Sequence, residues 1–505
     1  MHKLLLLTHR YLGIVLGIVF LLWFASGFVI MYTVGMPVLT ESERLAHLPD
    51  LDLSQVRISS QQAAEVAGSS TIPRLHSVMN RPAYEFPGRR PRIVFADNGD
   101  LLQSSMVSSR AVAAGFSGAA DDAINRVGRI EEVDQWTIGL RNELPLEKFS
   151  ISDDRTTEIY VSPVKAQVVL ATTRQDRLLA WLGAIPHWLY FVDLRKRSEL
   201  WSDSVIWLAS LGSILTVLGL VMLFTQMRKE KPFHPGKAIP YRGLMRWHYI
   251  SGLIFGVIAL AWVFSGLLSM DPYSWNTARG LSIPRDVLQG GQVDLLAFSA
   301  FAQADTQQRL HEIAGDASIK EVNFKRVLDG HFYQLVVSSE GSPWGFDRQL
   351  VSATSLQLRR DLFSDSEITQ RLQLLAGSNT LISARVLSGY DNYYYSRQSR
   401  QAAAAPLPVL RVQFDDPMRT WFYADLTGGE LVYQSHRWNR LERWLYNGLH
   451  SLDFGFLYRS RPLWDIVVIL LLTGGLFLTL LGVILAIRRL YRNSKLLLRE
   501  RQLPS

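Results

Sequence analysis

Cysteine is absent from the 505 residues. Its absence excludes disulfides, Cys-ligated iron–sulfur clusters, thiolate catalysis and the C-x-x-C-H attachment of c-type haem. No G-x-G-x-x-G follows a strand pattern, and the segments expected on the cytoplasmic side are too short for a nucleotide domain, so a bound dinucleotide is not expected. Charged residues make up only 19% of the chain, and the long apolar runs hold no central carboxylate. Low-complexity sequence is confined to a short linker, Ala402 to Ala405.

The hydrophobic share is 48%, with 14 tryptophans, which leans toward a membrane protein. Mean hydropathy is only +0.08, so part of the chain lies in water. Four runs reach the roughly 20 apolar residues that cross a bilayer: Leu4 to Tyr32, Val205 to Phe224, Ile250 to Met270 and Ile466 to Ile487. The first is too long for the apolar core of a secretory signal, and no small-residue cleavage site follows it closely. Arg228, Lys229, Lys231, Lys237, Arg242 and Arg246 join the second and third runs, and Arg488, Arg489, Arg492, Lys495, Arg499 and Arg501 follow the fourth. Basic residues of short loops stay on the cytoplasmic side, which predicts cytoplasmic termini and two large segments outside. These clusters beside anionic lipid account for most of the formal charge of +8, so no nucleic-acid partner is inferred.

The chain is written twice. His9 lies over His248, Gly13 over Gly252, Gly17 over Gly256, Trp23 over Trp262, Ser26-Gly27 over Ser265-Gly266 and Met31 over Met270, without a gap. A second block pairs Tyr160 with Tyr423, Arg174 with Arg437, Arg177 with Arg440, Trp181 with Trp444, His187 with His450, Trp201 with Trp464, Gly212 with Gly475 and Gly219 with Gly482. The unit is therefore span, outside segment, histidine segment, span.

The outside segments read as α+β. In the first, a capped helix starts after Ser59, Tyr84 to Phe86 and Arg92 to Ala96 alternate like strands, and Asn98-Gly99 supplies a turn. Ala119 to Val127 is helical in pattern, and Lys148 to Ile151 and Glu158 to Val161 are strand-like. In the second, Phe332 to Val337 and Leu410 to Phe414 read as strands, Ser364 to Glu367 as a capping box opening a helix to Leu375, and Thr427-Gly428-Gly429 as a turn. Tyr390 to Tyr395 forms an aromatic-rich loop suited either to a ligand or to packing on the sheet or the membrane interface.

Of the 11 histidines, four coincide between the copies. The topology puts His9 and His248 near the cytoplasmic face and His187 and His450 near the outer face. Two facing neutral imidazoles are an axial pair for haem b, and a helical bundle is a place to build such a site. His9, Gly13 and Gly17 share one helix face, as do His248, Gly252 and Gly256, which offers an imidazole above two bare patches. The bland alternative is close packing of membrane helices, with interfacial histidines among Trp181, Trp188, Trp444 and Tyr446. Zinc fits less well, since each level offers two histidines and no cysteine; nothing in the spacing of Glu147, Asp153 or Glu158 makes them further ligands. His436, His76, His311 and His331 are expected at the surface, and His2, His47 and His234 in flanks or loops.

Thr8-His-Arg-Tyr-Leu-Gly13, Tyr423 to Val432, Arg443-Trp-Leu-Tyr-Asn-Gly-Leu-His-Ser-Leu-Asp-Phe454 and Arg461-Pro-Leu-Trp-Asp465 resemble the PepSY-associated transmembrane helix family of bacterial inner-membrane proteins. The resemblance implies a membrane protein with an α-helical four-span bundle made of two internal repeats, each with an inserted periplasmic α+β, PepSY-like domain. Its expected divisions are span 1–32, periplasmic domain 33–200 with its histidine segment, span 201–227, basic loop 228–246, span 247–270, periplasmic domain 271–462, span 463–488 and basic tail 489–505. It implies haem b held by His9, His187, His248 and His450, and a role as a ferrisiderophore reductase. Ile185-Pro186-His187-Trp188 departs from the pattern of Gly448-Leu449-His450-Ser451.

The resulting expectation is a bacterial inner-membrane protein carrying two haem b groups. Membrane quinol or a cytoplasmic reductase would supply electrons, and a periplasmic ferric siderophore or other ferric chelate would receive them. Gly13, Gly17, Gly252 and Gly256 would make room for the rings, and Arg10, Arg177 and Arg440 would contact propionates. The alternatives are a haem-free regulator binding a peptide or protease, and a transporter, against which both copies run in the same direction.

Overall fold

A computed structural model describes residues 2–33, 35–88, 90–227, 238–272, 280–291, 293–395 and 405–500. The linker at Ala402 to Ala405, most of the basic loop with His234, and the last basic residues fall wholly or partly outside these. The chain divides into a helical unit, Met1–Met36, Leu178–Ala278 and Trp438–Ser505, and a β-rich unit, Pro37–Arg177 and Arg279–Arg437.

Each apolar run becomes one long helix: His2–Ile30, Ser198–Thr225, Gly243–Leu268 and Leu463–Glu500. All four are long and apolar enough to cross a membrane. The first packs on the second and fourth, and the third packs on the same two. Leu16, Phe20, Phe24, Leu215, Trp262, Val263, Val468 and Leu472 are buried between them. Val15, Ile18, Trp207, Phe224, Val257 and Leu470 remain exposed. An apolar surface around the whole bundle is costly in water and natural in lipid.

The β-rich unit is built on a six-stranded antiparallel sheet that takes three strands from each polar segment. β1 (Arg74–Val78), β2 (Arg81–Phe86) and β3 (Arg92–Phe95) come from the first, and β8 (Ile319–Val327), β9 (Gly330–Ser338) and β10 (Phe346–Ser352) from the second. β1 and β8 join the halves, with Leu75 opposite Val322 and His76 opposite Glu321. The two inserted α+β segments therefore share one core, in which Leu75, Tyr84, Val94, Val322, Phe324 and Tyr333 meet. Two four-stranded meanders complete the unit: β4 to β7 within 124–172 and β11 to β14 within 381–435.

Most local expectations hold. Ser59 and Gln62 form a reciprocal capping box, Ser364 Oγ accepts from the Glu367 N–H as one half of the expected box at the start of Asp365–Leu375, and Gly99 turns with φ +82°. Ala119 to Val127 is a correction: one 3-10 turn, Asp121–Ala123, leads into strand β4, Ile124–Ile130. β4 is an edge strand in which only Ile124 is buried, so the period-2 alternation that identifies a strand is missing. Tyr390 to Tyr395 lies on the last meander. Tyr394 is buried and stacks on Tyr423, ring centres 4.9 Å apart, and Tyr393 meets Trp421 edge-on.

Two histidines expected at the surface are interior. His76 is fully buried, its Nε2 3.0 Å from Glu85, at the seam where β1 acquires a second neighbour. His436 is buried as well. β1 has its hairpin partner β2 on one side and, on the other, β8, a partner distant in sequence that no local pattern reveals. His311 is exposed, and His47 stacks on Phe116.

Candidate functional site

The four duplicated histidines gather in the helical unit at two levels. His9 and His248 lie near the starts of the first and third helices. His187 and His450 lie on short segments, Ala184–Trp188 and Leu449–Ser451, that pack against the far ends of those same helices. They meet Ser26 and Ser265 there. Ser26 is 17 residues beyond His9 (26 − 9), as Ser265 is beyond His248 (265 − 248). At 1.5 Å per residue the levels are about 25 Å apart along the helices.

All four imidazoles use Nδ1 in the same way. His9 Nδ1 lies 3.0 Å from the Leu215 carbonyl and His248 Nδ1 3.2 Å from the Leu478 carbonyl. Leu215 and Leu478 differ by the 263 residues that separate the two copies of that helix (478 − 215). His450 Nδ1 lies 3.1 Å from the Trp262 carbonyl and 3.1 Å from Ser265 Oγ. His187 repeats this with the Trp23 carbonyl and Ser26 Oγ, the latter at 3.1 Å. A carbonyl only accepts, so Nδ1 carries the proton in each ring, and the neutral imidazole keeps its lone pair on Nε2. Metal-ligating histidines are commonly fixed by donating the other ring N–H to a carbonyl or carboxylate. The donor set fits a pair of imidazole-ligated groups.

The segments bearing His187 and His450 match despite their different sequences. Each ends two residues later at a leucine in the left-handed region, Leu189 at φ +51° and Leu452 at φ +49°. Gly183, before the first, is pressed against the first helix; a Cβ there would meet the Leu179 carbonyl and Val29 at 3.0 Å. A π-helical turn, Arg443–Gly448, precedes the second, a feature often found beside functional sites. The two rings stand 5.9 Å apart, centre to centre, with planes 72° apart. Metal–imidazole bonds of about 2 Å put two imidazoles sharing one metal roughly 6 Å apart by their centres. At the same level the indole Nε1 atoms of Trp23 and Trp262 are buried without a hydrogen-bond partner. Unpaired buried donors cost about 1–3 kcal/mol each, and a bound group with peripheral acceptors would relieve them.

The four expected glycines face the side chains of neighbouring helices. A Cβ at Gly17 would meet Val483 at 3.1 Å and one at Gly256 would meet Leu220 at 2.9 Å, while Gly13 and Gly252 face Leu215 and Leu223. These positions let helices approach. The glycines facing imidazoles are Gly219, 3.0 Å from His9 Cε1 by the same measure, Gly482, 3.4 Å from His248, and Gly266, 3.5 Å from His450. With Ser26 and Ser265 they were missed as site residues, although each belongs to a duplicated pair that could have signalled them.

Of the arginines, Arg10 is exposed on the first helix and Arg440 half-buried in Arg437–Glu442. Arg177 belongs to the β-rich unit, where it donates to the Thr172 and Thr156 carbonyls at 3.0 and 2.8 Å. Glu147, Asp153 and Glu158 are likewise engaged there, with Arg126, Thr157 and Lys148. Among the described residues no three His, Asp or Glu side chains come together as a metal cluster.

Residues 6–489 match the family described as PepSY-associated TM region. No curated protein matches the chain. A match over nearly the whole sequence, on a chain with four membrane-length helices and inserted α+β segments, leads to one conclusion: the protein is a multi-pass membrane protein belonging to the PepSY-associated TM family.

Proposed function

We propose that the protein is a transmembrane haem b electron-transfer protein that reduces a ferric chelate, such as a ferric siderophore, in the bacterial periplasm. The observation that carries this reading is the common state of the four duplicated histidines, each with Nδ1–H given to a main-chain carbonyl and Nε2 left basic. His9 with His248 would hold one group and His187 with His450 another, related by the internal repeat. Haem b bound there would supply one-electron transfer across the bundle.

The chain's own contribution is placement. The carbonyls of Leu215, Leu478, Trp23 and Trp262 fix the tautomer and orient the rings, and Gly219 and Gly482 leave space against the inner pair. The apolar core around Phe20, Phe24 and Trp262 excludes water between the levels. Both termini and the basic loop lie in the cytoplasm on this reading, with the β-rich unit outside, and membrane quinol or a cytoplasmic reductase is the electron donor. Reduction would release iron because a chelator selective for the ferric ion holds the ferrous ion weakly. The test is stopped-flow mixing of dithionite-reduced protein, freed of excess reductant, with ferric chelates and a ferrous-selective dye. Reoxidation of the haem bands in step with dye colour supports the assignment; bands that stay reduced with every ferric chelate refute it.

A further inference from the structure

The two histidine levels differ in one respect that the duplication does not require. His9 and His248 give Nδ1–H to a carbonyl; His187 and His450 each meet a serine hydroxyl as well, Ser26 and Ser265, at 3.1 Å. Both serines are buried, at 2% and 0% exposure, in the last turns of their helices. Their protons are already committed: Ser26 Oγ donates to the Leu22 carbonyl at 2.6 Å, and Ser265 Oγ to the Trp262 carbonyl at 3.1 Å. Each oxygen therefore turns a lone pair toward the imidazole and accepts from Nδ1–H, together with the tryptophan carbonyl.

We propose that Ser26 and Ser265 are positioning residues that hold the His187 and His450 rings and set the reduction potential at this level apart from the other. The inference rests on the haem assignment above. A second acceptor on Nδ1–H pushes electron density into the ring. The richer imidazole favours ferric over ferrous iron and lowers the potential. An outer-shell partner of a metal-bound histidine typically contributes 10–100-fold in affinity. Since the carbonyl remains in each case, removal of one hydroxyl should change the ferric-to-ferrous preference by at most about tenfold, about 59 mV for one electron.

The experiment is spectroelectrochemical titration of the full-length protein in detergent as wild type, Ser26→Ala, Ser265→Ala, the double variant and Ser265→Thr, with haem counted in each. Ser→Ala keeps the helix and shortens nothing else. Support is a rise in one of the two potentials in each Ala variant, larger in the double, with the other potential unmoved, haem content kept and Ser265→Thr close to wild type. Unmoved potentials at full haem content, or an equal rise at both levels, overturn the proposal while leaving the haem assignment standing. A wild-type protein with no haem bands overturns the haem assignment and this inference with it.

Discussion

Gly219→Ala gives a sharp prediction, because the added methyl carbon would sit 3.0 Å from His9 Cε1. Carbon atoms prefer about 3.5–4.0 Å, so the imidazole must retreat by about 0.5 Å or more. Its anchor, the Nδ1 contact with the Leu215 carbonyl, is 3.0 Å long. A retreat of that size takes it to the edge of hydrogen bonding and forfeits about 1 kcal/mol. On the proposed haem assignment the ring would also be misdirected at the iron, and losses of 10–100-fold in affinity are typical when the outer shell fails. Gly13→Ala is the control: its methyl would lie 3.9 Å from Leu215, an ordinary contact, and helix propensity favours alanine. The assay is transfer of haem from detergent-purified protein to a soluble haem acceptor, followed at the Soret band. Gly219→Ala should release one of two haems at least tenfold faster than wild type, and Gly13→Ala should behave as wild type. Equal behaviour of the two variants would refute the placement of His9 against Gly219.

Four further outcomes follow from the same geometry. Arg177→Ala should leave haem content and spectra unchanged, because the guanidinium is spent on Thr172 and Thr156 in the β-rich unit; loss of haem would mean that it reaches a propionate. His436→Ala should likewise keep both haems, whereas His450→Ala should lose one, as haem counted per chain will tell. Tyr394→Ala removes a buried ring stacked on Tyr423 and should destabilise the β-rich unit by about 3 kcal/mol, visible as faster limited proteolysis with unaltered haem spectra. Burial pushes the Glu85 carboxyl up, but hydrogen bonds and charge from His76 and Arg74 outweigh it and hold the group well below the usual carboxylate range. A depressed carboxylate stabilises the fold above its unfolded pKa of about 4.3 and loses that contribution as pH falls toward the folded value. Proteolytic susceptibility of the wild-type β-rich unit should therefore rise below about pH 4, and Glu85→Gln should be susceptible already at neutral pH, with a flatter acid dependence.

The helices and histidines were legible because each is a property of one stretch repeated. Apolar length marks the four spans, and two offsets, 239 for His9 with His248 (248 − 9) and 263 for His187 with His450 (450 − 187), pick these four out of the 11 histidines. His187 illustrates the limit of motif comparison. Its neighbours Pro186 and Trp188 depart from Leu449 and Ser451, yet Leu189 and Leu452 turn the chain alike and the rings take the same partners. Helix periodicity put Gly13 and Gly17 on the face of His9. It could not say that the neighbouring helices fill that face with Leu215 and Val483, because the register between helices is set by packing. The seam between β1 and β8 was equally hidden. Pairing Leu75 with Val322 closes a loop of more than 200 residues, and neither strand carries a sign of its distant partner. His76, read as a surface residue, is interior for that reason.

The most direct measurement is the optical spectrum of the detergent-purified protein, oxidised and dithionite-reduced, with haem quantified per chain in the wild type and in each His→Ala variant. Under the proposed haem assignment the reduced protein shows sharp α-bands and close to two haems per chain, with His9 and His248 both needed for one and His187 and His450 both needed for the other. A protein that shows no Soret band after expression with ample haem would contradict it.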